Sequence, residues 1–134
     1  MAFLEIQNLS KRFGGLLANH DITFHVSEGE ILGVIGPNGA GKTTLFNCIS
    51  GVYRPNHGSI LFKGEKISGL RAYDICKCGI ARTFQLVQIF PDMTSLENVM
   101  VGTFLKFPSP EEAREKAIEF LKRLNLSDKK DLRA

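Results

Sequence analysis

Gly36, Pro37, Asn38, Gly39, Ala40, Gly41, Lys42 and Thr43 form an unbroken run that fits the eight-residue phosphate-loop pattern at every fixed position. Each residue type has a chemical reason to be there. Gly36, Gly39 and Gly41 let the backbone wrap tightly, so that successive amides of the loop, those of Asn38 and Ala40 included, point inward. Those N–H groups, with the positive end of a following helix, bind phosphate oxygens. Lys42 brings a point charge to the terminal phosphates. The Thr43 hydroxyl is the usual magnesium ligand of such a loop, and Thr44 reaches a nearer phosphate. The glycines do not follow the Gly-x-Gly-x-x-Gly spacing of a dinucleotide fingerprint. The loop alone leaves kinase, GTPase, motor and transporter ATPase open.

The loop requires a strand before it and a helix after it. Ile31, Leu32, Gly33, Val34 and Ile35 are almost continuously apolar, which predicts a strand buried on both faces of a parallel sheet. Residues 42–49 read as the helix, closed by Gly51. Upstream, residues 4–9 and 22–26 alternate apolar and polar and predict an antiparallel opening, with turns at 11–15 and 27–29. Downstream, residues 59–62 read as a strand, 70–78 as a helix stopped by Gly79, and 80–84 as a further strand. Thr94 with Glu97 predicts a capping box for a helix over 95–101. Ser109, Pro110, Glu111 and Glu112 predict the same device for a second helix, with Ala113, Ala117, Leu121 and Leu124 on its apolar stripe.

Composition sets the frame. The chain has 134 residues, 43% of them hydrophobic and 23% charged, as in a soluble globular domain. A net charge of +3 is too small to argue for nucleic acid. No apolar run is long enough to span a bilayer, and the start lacks the pattern of a signal peptide. Three cysteines make no disulfide framework, so a cytosolic setting is expected. Cys76 and Cys78 have no further thiol or imidazole nearby in sequence to complete a metal site. His20, His25 and His57 stand beside no candidate nucleophile, so structural or surface roles are expected of them.

The order of features resembles the nucleotide-binding subunit of an ATP-binding cassette (ABC) transporter. The resemblance implies an α/β P-loop NTPase fold with an antiparallel lead-in β-sheet and the start of a helical subdomain. Lys11, Arg12, Phe13, Gly14 and Gly15 resemble the family's aromatic loop, whose ring stacks on adenine. The family usually has tyrosine there, and Phe13 offers no hydroxyl. Arg82, Thr83, Phe84 and Gln85 resemble its glutamine loop, which implies that Gln85 contacts magnesium or the attacking water and that its loop faces the membrane subunits. Phe13 to Ala18, the phosphate loop with Leu45, Phe46 and Asn47, and the segment from Arg82 through Phe90, Met93, Thr94, Glu97 and Asn98 resemble one subgroup. That subgroup is the ATPase pair of branched-chain amino acid importers, in particular the partner labelled G. Lipopolysaccharide-export ATPases share much of the pattern.

The resemblance implies ATP and Mg2+ as ligands, with Phe13 and Ala18 beside the nucleotide and Gln85 joining Thr43 at the metal. It implies a second ABC ATPase subunit in a dimer, transmembrane permease subunits and, through them, a substrate-binding protein. The location it implies is the cytoplasmic face of the membrane. It divides the chain into a nucleotide-binding core over 1–93 and the start of a helical subdomain over 94–134. It covers the first half, or slightly more, of such a domain, so an incomplete fold is expected. A Leu-Ser-Gly-Gly-Gln-like signature and an apolar run ending in Asp-Glu are not found, so turnover by this chain alone is not expected. The rival readings are a nucleotide-holding regulatory module without turnover and a small-molecule kinase. The kinase would need neither the antiparallel opening nor the Arg82–Gln85 motif.

Overall fold

The computed structural model describes residues 2–133. They fall into two compact units, one reaching to Arg82 and one starting at Thr83. The division expected at 93/94 lies inside the second unit.

The first unit is built on a sheet of order β2-β1-β3-β4, with every neighbouring pair antiparallel. β1 (Leu4–Phe13) and β2 (Leu16–Val26) form a hairpin around Gly14 and Gly15. β3 (His57–Phe62) lies on the other side of β1, and β4 (Glu65–Lys66) closes the edge. The hairpin is therefore antiparallel, as the alternation predicts. It is also longer: Lys11 pairs with Asn19 and Phe13 with Leu16, where the sequence suggested a turn from residue 11. A two-residue connection brings the strands together at once and carries the pairing to its tip.

Between the pairs Leu9↔Ile22 and Lys11↔Asn19, β1 advances by two residues and β2 by three. This bulge places Asp21 at φ 51°, and Asn8 across from it sits at φ 49°. Side chains take up the freed backbone donors. Asp21 N donates to Ser10 Oγ at 2.9 Å and Asn8 N to Thr23 Oγ1 at 2.9 Å.

Helix α1 (Lys42–Ile49) buries Leu45, Cys48 and Ile49 against Ile6, Leu9, Ile60 and Phe62 of the sheet. Helix α2 (Ala72–Cys78) adds Ile75 to the same core, and Ile67 completes it. Both helices match their sequence patterns because spacing and stop residues are local signals. Burial at Cys48 pushes its thiol pKa up, so this cysteine is a packing residue rather than a reactive one.

Two predicted strands are not formed. Residues 30–36 carry no regular structure, and Ile31 and Ile35 are 98% and 94% exposed. Residues 80–84 likewise form no strand. An apolar run becomes a strand only when another strand takes its N–H and C=O groups. Among the described residues none pairs with either segment. Val34 and Ile80 still pack on the core as single side chains.

The second unit is a helix pair. α3 (Ser95–Thr103) opens with the predicted capping box. Glu97 N donates to Thr94 Oγ1 at 3.2 Å, and Thr94 N donates to Glu97 Oε2 at 2.7 Å. The two donors from Thr94 hold the Glu97 carboxyl below the ordinary carboxylate range. A depressed pKa contributes stability above the unfolded value and loses it as pH falls through the folded value, so the box weakens on acidification. The chain end returns to this helix start: Ser95 N donates to Leu132 O at 2.8 Å and Leu96 N to Lys130 O at 2.9 Å.

α4 (Pro110–Arg123) packs on α3 through Leu96, Ala117 and Leu121, while Ala113 is buried beside Thr103. Two expectations for α4 fail. Ser109 makes no cap to the backbone; its hydroxyl donates to Glu111 Oε2 at 2.8 Å, leaving proline at the first position to start the helix. Leu124 is 67% exposed, because it is the C-cap residue, where the helical stripe has ended. Thr94→Ala is expected to cost about 1 kcal/mol of stability in this unit, read as a lower denaturant midpoint with secondary structure retained.

Candidate nucleotide site

The phosphate-loop residues come together between residues 30–36 and α1. Pro37, Asn38 and Gly39 turn the chain, with Ala40 N donating to Pro37 O at 3.2 Å. Gly41, at φ 88°, is the N-cap of α1 and offers no side-chain cap, and the first turn holds no acidic residue. The positive end of α1 is thus left uncompensated. Among the described residues, the backbone N–H groups of Gly39, Gly41, Lys42, Thr43 and Thr44 have no hydrogen-bond acceptor. Four consecutive donors at the helix start, with that of Gly39 just before them, form the nest that an anion satisfies; the Ala40 amide, expected to point inward with them, is instead taken by Pro37 O.

Lys42 lies over this turn. Its Nζ donates to Gly36 O at 2.5 Å and to Pro37 O at 2.7 Å, and it makes no ion pair among the described residues. No carboxylate among the described residues neutralises its charge, which leaves it able to meet a phosphate. The Thr43 side chain is exposed and Thr44 is half-buried. An exposed hydroxyl next to a phosphate nest is a hard oxygen donor of the kind Mg2+ takes. The donor set therefore fits a magnesium-bound polyphosphate, although Thr43 supplies only one ligand for the ion.

The loop is braced from β2. A Cβ on Gly41 would overlap the Ala18 carbonyl oxygen and stand 2.7 Å from Asn19 Nδ2. Asn19 is 6% exposed, and its Nδ2 donates to Gly41 O at 3.1 Å. Ala18 thus lies under the loop backbone, where it limits what residue 41 can be. Asn19 is the residue that sequence reasoning missed. The bulge moves it out of the alternation of its strand, so no period-two pattern marks it.

Phe13 stands at the end of β1, away from this brace, in an edge-to-face contact with Tyr53 at 5.1 Å between centroids. Tyr53 follows α1, and its N–H donates to Asn47 O at 3.0 Å. Arg82 reaches the same end of α1, donating to Asn47 Oδ1 and, at 3.4 Å, to Ser50 Oγ.

Gln85 belongs to the second unit and is exposed. The segment after it shows Leu86 85% exposed and Val87 76% exposed, with Ile89 and Phe90 about half so. Asn98 clasps the end of that segment. It accepts from Phe90 N at 2.8 Å and donates to Phe90 O and Thr94 O at 3.0 Å each. Among the described residues no group of histidine, cysteine and carboxylate side chains is arranged for a metal ion, and no helix is long and apolar enough to cross a membrane.

Comparison with known proteins points in one direction. A match to the ABC transporter family covers residues 19–134. The chain is 43% identical to the high-affinity branched-chain amino acid transport ATP-binding protein BraF of Pseudomonas aeruginosa, over 93% of this chain and 55% of that protein. It is 41% identical to the high-affinity branched-chain amino acid transport ATP-binding protein LivG of Escherichia coli K12, over 92% of this chain and 54% of that one. The chain thus spans about half the length of these relatives. Its fold superimposes on the ADP conformation of MJ1267, an ATP-binding cassette of an ABC transporter, with a TM-score of 0.85 and 33% identity over 100% of this chain and 58% of the other.

Proposed function

The chain belongs to the ABC transporter family, and on that premise we propose that it binds ATP with Mg2+ at residues 36–44, as part of an ATPase subunit that drives import of branched-chain amino acids. The observation that carries the nucleotide assignment is the nest of five unaccepted N–H donors under a lysine with no ion-pair partner. The loop amides and Lys42 bind and orient the phosphates. Thr43 offers an oxygen to the metal. Phe13 is the ring on which adenine stacks, and Ala18 supports the loop beneath the nucleotide. Bound Mg2+ supplies charge neutralisation at the terminal phosphates.

Gln85 is assigned to positioning water or the metal and to coupling with the membrane subunits. A neutral amide both donates and accepts, so it can hold water in one state and release it in another. The exposed apolar side chains that follow it suit a protein partner better than water. The partners of this reading are a second ABC ATPase subunit, transmembrane permease subunits and, through these, a substrate-binding protein. The place is the cytoplasmic face of the membrane. The transport substrate is taken from what BraF and LivG are said to transport.

The test is reconstitution of the complete transporter with variants of this segment. Gln85→Ala is expected to reduce branched-chain amino acid uptake at least tenfold while ATP affinity changes less than threefold, because the loop amides and Lys42 supply most of the phosphate binding. Phe90→Ala is expected to lower recovery of the assembled complex with nucleotide affinity retained. Normal uptake by Gln85→Ala would remove the coupling role. Unfolding of Phe90→Ala without a specific assembly defect would make Phe90 an ordinary packing residue.

A further inference from the structure

Phe13 is not a free ring. Tyr53 meets it edge to face, with the ring planes 75° apart. Lys11 Nζ lies over the Phe13 ring at 4.9 Å and over the Tyr53 ring at 5.8 Å. The ammonium is pinned there by the Arg54 carbonyl, to which it donates at 2.9 Å. Tyr53 is itself tied to α1 through Asn47 O. Both residues remain more than a third exposed, 40% for Phe13 and 36% for Tyr53. Three side chains from two separate segments therefore hold one another while leaving aromatic surface in water.

We propose that Tyr53 is a positioning residue for base recognition: with Lys11 it fixes the Phe13 ring so that one face is presented to the purine. The inference rests on the reading of Phe13 as the stacking residue. A phenylalanine at a hairpin tip rotates about two side-chain torsions, and stacking a base on it would cost that freedom. The edge contact with Tyr53 and the ammonium over the ring remove the freedom in advance. Lys11 stands over the ring, and the 40% of Phe13 that stays exposed is the aromatic surface left for a base. The bond from Tyr53 to the end of α1 joins this platform to the helix whose start is the phosphate nest. Base and phosphate subsites are thus spaced by one rigid element.

Titration of the 134-residue chain with ATP and with inorganic tripolyphosphate separates the two subsites. Tyr53→Leu is expected to weaken ATP binding about 3- to 10-fold, as loss of an aromatic pair would, while tripolyphosphate binding stays within about twofold. Tyr53→Phe keeps the ring and is expected to retain ATP affinity. Tyr53→Gln, a polar residue suited to this half-exposed position, is expected to behave as Tyr53→Leu.

The chain has two tyrosines and no tryptophan, which gives a second readout. Tyrosine emission, corrected for nucleotide absorbance, should change on adding ATP but not tripolyphosphate. The change should vanish in Tyr53→Phe and survive in Tyr73→Phe. Unchanged ATP affinity in both Tyr53→Leu and Tyr53→Gln, or equal loss of ATP and tripolyphosphate, overturns the proposal. Phe13→Leu distinguishes the layers. If it weakens ATP binding while the Tyr53 variants do not, only the role of Tyr53 falls. If ATP binding is indifferent to Phe13→Leu as well, the stacking assignment of Phe13 falls with it.

Discussion

Lys42→Ala is expected to weaken ATP binding by about 10- to 150-fold. The lysine side chain donates only to two carbonyl oxygens, those of Gly36 and Pro37. It has no carboxylate to share its charge with among the described residues. A charge-assisted bond to phosphate in such a setting is worth about 1.5–3 kcal/mol, which sets the range. Within the protein the substitution removes only the two hydrogen bonds to exposed loop carbonyls, so the fold should survive. Calorimetric titration of the folded variant is the check, and equal affinity in both forms would refute the phosphate-loop assignment. Lys42→Arg is expected to restore only part of the loss, because a planar guanidinium does not replace a compact ammonium over a tight turn.

Gly41→Ala should lower stability by about 2–6 kcal/mol and weaken binding with it. Two costs add. The backbone at 41 is left-handed, with φ 88°, and a non-glycine residue held in a sparsely populated region costs about 1–3 kcal/mol. The new methyl would also run into the Ala18 carbonyl and the Asn19 amide, and overpacking of this kind costs about 1–3 kcal/mol. The Ala18 carbonyl belongs to the backbone of β2 and the Asn19 side chain is buried, so neither swings aside like an exposed chain end. Relief requires the loop to lift from β2, which breaks the Asn19–Gly41 bond and disturbs the row of N–H donors. Denaturant unfolding and ATP titration should therefore fall together. A variant with wild-type stability would show that the brace from β2 is not rigid. Gly39→Ala is the control. Its φ of 84° carries the backbone cost, but a Cβ there meets nothing within 4 Å, so its stability loss should be smaller.

Much of the candidate site was legible because its signals are local. The phosphate loop is a run of eight consecutive residues, so its glycines, its lysine and its threonine are recognised without knowledge of any distant segment. Helix α1 follows from the phosphate loop's need for a helix after it and from Gly51 beyond its end. The capping box of α3 needs only Thr94 and Glu97. The antiparallel hairpin follows from alternation on both sides of a Gly-Gly turn. Even here a local signal misled: Ser109 and Glu112 have the capping-box spacing, yet the serine hydroxyl turns to Glu111. A short polar side chain has several partners within reach, and sequence does not choose among them.

The phosphate-loop pattern, the helix that follows it and the antiparallel direction of the opening strands could all be read from residues a few positions apart. Tertiary structure decided the rest. Asn19 faces Gly41 only because a bulge between Ile22 and Asn19 shifts its strand by one residue, and the extra residue is defined by the partner strand. Tyr53 supports Phe13 only because the chain folds back across forty residues. The apolar run at 31–35 reads as a buried strand, yet here only Val34 packs on the core while Ile31 and Ile35 stay exposed, since a strand is completed by hydrogen bonds from another strand and not by its own composition. Periodicity shows which side of an element is apolar. What meets that side is set by pairing between distant segments, whose register no local pattern encodes.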